Sequence, residues 1–306
     1  MSYPFGETTN DPRPHMYLTL LILVLSGIGA CCKPPAPILA YNGPTSRMVE
    51  VVRAINDNNA AIPSIWTEIG FEATLHDDKK NVRSGDGYGV LMYRKVAEKP
   101  DELLLRGSND LIGTLFEIGS TSGADGQYWC AILPNTNTEW FGYYKHLDKP
   151  CAKTIPIQPY LVTEVLGVGE IDENFMQSPM PVMQFNNEAD AYVLLHIYPS
   201  RTQFAAQKEV WYDRKTSLPK KVKLFDGNGR VLLQAILSNH QILEGSNHKM
   251  MATKFDLFFP DSEDRLIFDL KGPKITHKNL PKAGTIQRRS LGDDVKIIRI
   301  DEDCGD

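Results

Sequence analysis

Residues 250–259, MMATKFDLFF, and residues 265–271, RLIFDLK, decide the fold. In the first run Met251, Phe255, Leu257 and Phe259 share one parity, and Lys254 and Asp256 take the other. In the second, Leu266, Phe268 and Leu270 oppose Arg265, Asp269 and Lys271. Successive side chains of a strand point to opposite faces, so each run is a strand with one apolar and one wet face. Such strands belong to antiparallel sheets, because parallel sheets are covered on both sides and read as unbroken apolar runs.

The same rhythm extends in both directions. Strand-like runs occur at 191–198, 209–214, 221–226 and 231–238, and earlier at 88–95, 102–106, 114–118, 127–133 and 140–144. Between 65 and 75, Ile65, Ile69, Phe71 and Leu75 oppose Glu68, Glu72 and Thr74, with Trp66 out of step. Turn chemistry separates the runs at Ser84–Gly87, Ser108–Asp110 and Gly123–Gly126. Two helices are expected. One follows a Ser46 cap, with Met48, Val51, Val52 and Ile55 on one stripe, and ends before Pro63. The other covers 159–166, with Pro159 at its first position and Gly167 at its stop.

About a dozen half-polar strands in one sheet must curl. The expected class is therefore α+β, mainly β: a curved antiparallel sheet forming an incomplete β-barrel covered by a few helices. So few helices leave room for a hydrophobic guest on the concave side. Its candidate lining is Ile65, Ile69, Phe71, Trp129, Met251, Phe255, Leu257, Leu266 and Phe268.

The N-terminus reads as an address. Residues 17–30, YLTLLILVLSGIGA, are uncharged, with Arg13 and His15 just upstream, and the apolar part is too short to span a bilayer. Ile28-Gly29-Ala30-Cys31 resembles the lipobox of bacterial lipoproteins, which implies cleavage before Cys31 and its lipidation. The alternative is an ordinary signal cleaved after Ala30. Translation from Met16 would remove an atypically long leader. The domain plan is a signal peptide at 1–30, a Pro-rich tether at 31–45, the half-barrel at 46–271 and a partly disordered extension at 272–306.

The mature chain of 276 residues would carry 32 basic and 36 acidic side chains, a net charge of −4. No basic stripe suited to phosphates is present, which argues against nucleic acid as a partner. Cys130 and Cys151 are candidates for a disulfide in an oxidising compartment, the alternative being two separate thiols. Catalytic signatures are missing. Gly119–Gly123 has the wrong spacing for a nucleophile elbow, and Gly85-Asp86-Gly87-Tyr88-Gly89 reads as a hairpin rather than a phosphate loop. His76, His146, His196, His240, His248 and His277 show no paired ligand spacing. An enzyme is not expected, and no cofactor or metal is implied.

Several phrases together resemble a known family: Trp66–Leu75 after a lidding helix, DELLLRG (101–107), DGQYWCAILP (125–134), GYY (142–144) and EVWYDRKTSLPKKVKLFDGNGRVLL (209–233). They are similar to the outer-membrane lipoprotein-sorting proteins of the LolA/LolB type over residues 46–270. That resemblance implies an incomplete barrel whose apolar cavity binds acyl chains of lipoproteins or other lipids. With Cys31 as a membrane anchor on the periplasmic side of the envelope, the chain is closer to an acceptor than to a soluble carrier. Cys32, in place of the Asp that retains many lipoproteins in the inner membrane, favours the outer membrane. The expected partners are a lipid or acylated protein and the membrane. The alternatives are a structural or signalling lipoprotein that docks a protein, and a periplasmic hydrolase built on a His–carboxylate pair.

Overall fold

The computed structural model describes residues 41–76, 81–97, 100–123, 125–133, 136–146, 155–200, 203–275 and 286–301. The signal, the lipobox with Cys31, most of the tether, and Cys151 lie outside the described residues.

A meander of β1 (Ser64–His76), β2 (Val82–Arg94), β3 (Glu102–Asn109), β4 (Gly113–Ser120), β5 (Gln127–Ile132) and β6 (Thr138–Tyr143) forms one half of the sheet. A second meander begins at the far edge with β7 (Met180–Asn186), β8 (Ala191–Ser200), β9 (Gln203–Asp213) and β10 (Pro219–Phe225). It continues through β11 (Val231–Ile242) and β12 (Met250–Phe259) to β13 (Asp264–Lys274), which pairs with β1. The strands expected to be decisive are neighbours in register, with Phe255 opposite Phe268 and Leu257 opposite Leu266. The two phenylalanine rings stack with centroids 4.7 Å apart. The described strands pair antiparallel except β14 (Lys296–Arg299), which runs parallel to β6.

Two α-helices lie among the described residues, α1 (Met48–Asn59) and α2 (Pro159–Val165). Val51, Val52 and Ile55 of α1 are buried, as their stripe predicts. The start of α1 differs from expectation. Glu50 accepts a hydrogen bond from the Arg47 backbone N–H at 3.0 Å, while the Ser46 N–H is engaged by Tyr192 Oη. Helix α2 begins at Pro159 and is followed by Gly167 at φ +69°, both as the sequence indicates.

Helix α2 also shows how far the sheet bends, because it contacts β4 and β5 in one half and β10 in the other. Six strands separate β4 from β10, about 34 Å across a flat sheet at a strand spacing of about 4.8 Å. A seven-residue helix is only about 10 Å long. The sheet must therefore wrap round the helix. Among the described residues it stays open, with β14 and β7 at its two edges.

The main core fills the concave side beneath both helices. A second, smaller core lies on the convex side, where Leu104, Trp129 and Phe141 are covered by Ile286. Within the expected extension, Ile286 thus packs on the sheet and Lys296–Arg299 supply β14, and β13 runs on to Lys274. Ser84–Gly87, expected as a turn, lies inside β2. After β3 the Leu111 N–H donates to Asn109 Oδ1, and before β5 the Gly126 N–H donates to Gly123 O, at the ends of two expected turns.

Candidate functional site

The site arises from a gap in the side chains of β2. Its register with β1 pairs Arg83 with Leu75, Gly85 with Ala73, Gly87 with Phe71 and Gly89 with Ile69. Phe71 and Ile69 belong to the concave core, so the glycines at 85, 87 and 89 occupy the inward positions of β2. Gly107 lies beside Gly89 on β3, and Phe116 beside Gly107 on β4. Where the glycines leave space, Phe71 and Phe116 lean in and meet edge to face at 5.1 Å. Side chains at Gly87 and Gly107 would collide with those rings, whereas a Cβ at Gly85 would meet no atom within 4 Å.

The opening at Gly85 is a cavity of about 290 Å³, walled by Phe71, Ala73, Leu75, Leu115, Phe116, Ile132 and Leu133 and rimmed by Arg83 and Ile112. A second lobe of about 130 Å³ shares Ala73, Leu75, Phe116 and Ile132 with the first. It passes under Pro156 and Ile157, just before α2, to Phe259 and Leu266. The contributing ends of β1, β2, β4, β5, β12 and β13 all lie at one end of the half-barrel, as their antiparallel order requires. The β3–β4 tip stands beside this mouth with Leu111 94% and Ile112 58% exposed.

Of the nine expected lining residues, Phe71 and Leu266 line the cavity. Ile65, Ile69, Met251, Phe255, Leu257 and Phe268 share the concave face but pack in the closed core below it. Trp129 is on the opposite face. Its indole N–H donates to Glu117 Oε1 at 3.1 Å, and Glu117 in turn accepts from Arg106. Cys130 points into the concave core as a free thiol, pushed up to about 12 by burial. The period-two spacing of Gly85, Gly87 and Gly89 was the available signal for the cavity, and reading it as turn chemistry concealed it.

Among the described residues, the polar groups at the mouth include His76, Ser262, Asp264 and Arg265. The His76 backbone N–H donates to Asp264 Oδ1 at 2.8 Å, and the His76 ring stands 3.5 Å from the same carboxylate. Ser262 lines the same lobe, but among the described residues its hydroxyl is a backbone acceptor for Asp264, with no hydrogen bond to the imidazole. Arg265 turns outward to chelate Asp256 at 2.8 and 2.6 Å. His196 is buried away from the cavity lining and held neutral, its pKa pushed down to about 3 by burial and by Lys208. Among the described residues no group of three or more His, Cys, Asp or Glu side chains could hold a metal ion.

On the convex face, Arg288 of the C-terminal segment lies 3.0 Å from buried Glu139 and over the Phe141 ring at 3.9 Å. Burial raises the Glu139 carboxyl above its ordinary range, and Arg288 opposes that rise.

No family model and no curated protein matches the chain. Solved structures similar to it include the following three. A DUF1329 family protein from Desulfovibrio piger is 10% identical at a TM-score of 0.50, covering 76% of this chain and 95% of its own. A candidate outer membrane lipoprotein-sorting protein domain from Vibrio parahaemolyticus is 14% identical at 0.48, covering 76% and 94%. A LolA superfamily protein from Nitrosomonas europaea is 13% identical at 0.44, again covering 76% and 94%. The likeness to the Desulfovibrio piger protein is one of fold: an open antiparallel sheet curled around helices, the architecture that the LolA/LolB resemblance implies.

Proposed function

We propose that the protein is a lipid-anchored component of the cell envelope that holds a hydrophobic ligand, a lipid or acyl chain, at the open end of its half-barrel. The observation that carries this reading is the apolar cavity above Phe71 and Phe116, open at Gly85. A site needing only to be filled by the protein itself would not set three glycines on the inward face of one strand and leave one of them facing empty space. At about 290 Å³ the cavity is far larger than a single water requires. Its walls offer a polar guest few partners, so an apolar chain is the guest it suits.

The anchored location rests on the lipobox at Ile28–Cys31. A tether behind a lipidated Cys31 would hold the cavity near a membrane, where apolar chains are the abundant guests. A role in sorting lipoproteins to the outer membrane is the finer form of this proposal, supported by the LolA/LolB resemblance. Organic extraction of the purified protein followed by mass spectrometry tests the binding claim. Recovery of a stoichiometric lipid is expected. Absence of any lipid, together with no binding of N-phenyl-1-naphthylamine, would overturn it.

A further inference from the structure

We propose that the two lobes are one trough running across the strands, that an acyl chain lies in it crosswise, and that Ala73 at its joint fixes how long a chain it accepts. This rests on the reading of the cavity as a hydrophobe site and adds a chain-length specificity together with the residue that sets it.

The direction of the trough follows from register. Residues directly opposite one another in antiparallel strands share a face of the sheet. Gly85 of β2 pairs with Ala73 of β1, Ala73 with Leu266 of β13, and Leu266 with Leu257 of β12. Two consecutive positions in that row carry only a hydrogen atom and a methyl group, so the row is a furrow at right angles to the strands. One row deeper, Phe71 pairs with Phe268 and Phe268 with Phe255. The last two rings stack, and Phe71 meets Phe116 edge to face. Phe71, Phe255 and Phe268 are buried. A guest above these rings is turned sideways over Ala73 instead of running down the barrel axis.

The joint lies at the smallest side chain. Ala73, Leu75, Phe116 and Ile132 line both lobes. From Gly85 the furrow passes over Ala73 to Leu266 and Phe259, beneath Pro156 and Ile157. A dry apolar cavity of about 150 Å³ accommodates benzene, which corresponds to roughly 25 Å³ per carbon. On that scale the lobe of about 290 Å³ takes about 12 carbons. The adjoining lobe of about 130 Å³ takes about 5 more. The joint therefore decides between a chain of about 12 carbons and one of about 17. A larger side chain at Ala73 would stand between Gly85 and Leu266 and close the smaller lobe to a chain coming from the larger. Phe259 lines the smaller lobe alone, so shortening it extends the trough at its far end.

The experiment uses the purified full chain and straight-chain fatty acids from octanoate to arachidate, read by displacement of N-phenyl-1-naphthylamine. In the parent protein affinity should rise by up to about fourfold for each added methylene and level off at about 17 carbons. Ala73→Leu should keep the rise for short chains and level off near about 12 carbons. Palmitate should then bind at least about tenfold more weakly than to the parent, while decanoate keeps nearly its parent affinity. Phe259→Ala should move the plateau to longer chains than in the parent, a shift of opposite sign that decides the matter even where Ala73→Leu fails to fold. Thermal unfolding of each variant shows whether it is folded. A parent plateau near about 12 carbons, a rise that continues to arachidate, or an unchanged plateau in either folded variant would overturn the proposal. If neither the dye nor any fatty acid binds, the hydrophobe reading falls with it; if they bind but the plateau does not follow Ala73 and Phe259, only this inference falls.

Discussion

The ring of Phe71 lies against Gly87, so closely that a Cβ on that glycine would stand 2.8 Å from Phe71 Cζ and would collide with the Ser108 carbonyl oxygen. The floor of the cavity thus depends on a missing side chain. Gly87→Val should force both the ring and the β3 backbone to move. Overpacking of this kind costs about 1–3 kcal/mol, and urea unfolding should show a loss in that range or greater. An unchanged midpoint would mean that Phe71 is not seated on the glycine.

Trp129 should matter for stability and not for binding. Replacing it with Phe leaves buried Glu117 Oε1 without its indole donor. An unpaired buried acceptor costs about 1–3 kcal/mol. Titration with N-phenyl-1-naphthylamine should give the same affinity as the parent protein. A weaker affinity at unchanged stability would return Trp129 to the cavity lining.

These two residues also show what could be read from the sequence and why the rest could not. The alternation at 250–259 and 265–271 was legible because those strands have one wet face. In β5, Tyr128, Trp129, Cys130 and Ala131 are all buried, so period two assigns no face. The cover on the outer side arrives with Ile286, far along the chain. Strand β7 lies outside the expected runs because Pro181 argues against a strand, although proline is tolerated at a sheet edge such as this one. Strand β14 has four residues and exists through its pairing with distant β6. Glycines at 85, 87 and 89 carried the site, but the same residue type marks turns, and only the register with β1 separates the two readings.

Arg288 should anchor the C-terminal segment in a pH-dependent way. Folded Glu139 holds its proton more tightly than the unfolded chain does, so ionising it costs stability, and the cost grows as pH rises through the raised folded value. Arg288→Met removes the cation that offsets this cost. The variant should lose about 1.5–3 kcal/mol near neutral pH and recover much of that loss at about pH 4–5, near the ordinary carboxylate range. Chemical unfolding at the two pH values checks it; equal losses at both would remove Glu139 from the account.

His196 should contribute to acid sensitivity. Its pKa is lowered from 6.5 to about 3 in the folded protein, so the unfolded chain takes up the proton first. Stability is unaffected above pH 6.5 and falls as pH drops from there towards 3, by at most about 1.4 kcal/mol per pH unit. His196→Leu should flatten that slope by about one proton. A pH series of unfolding midpoints in the two proteins measures it, and parallel slopes would contradict the burial of a neutral imidazole.

The measurement that bears most directly on the cavity is a titration of N-phenyl-1-naphthylamine into the parent protein and Gly85→Leu, with thermal unfolding followed in parallel. A side chain at Gly85 meets no atom within 4 Å at its Cβ and projects into the cavity of about 290 Å³. The parent should show saturable binding of one equivalent, and Gly85→Leu should lose it at least about tenfold, the effect of filling an apolar site, with no fall in unfolding temperature. Undiminished binding by Gly85→Leu, or no saturable binding by the parent, would contradict the account.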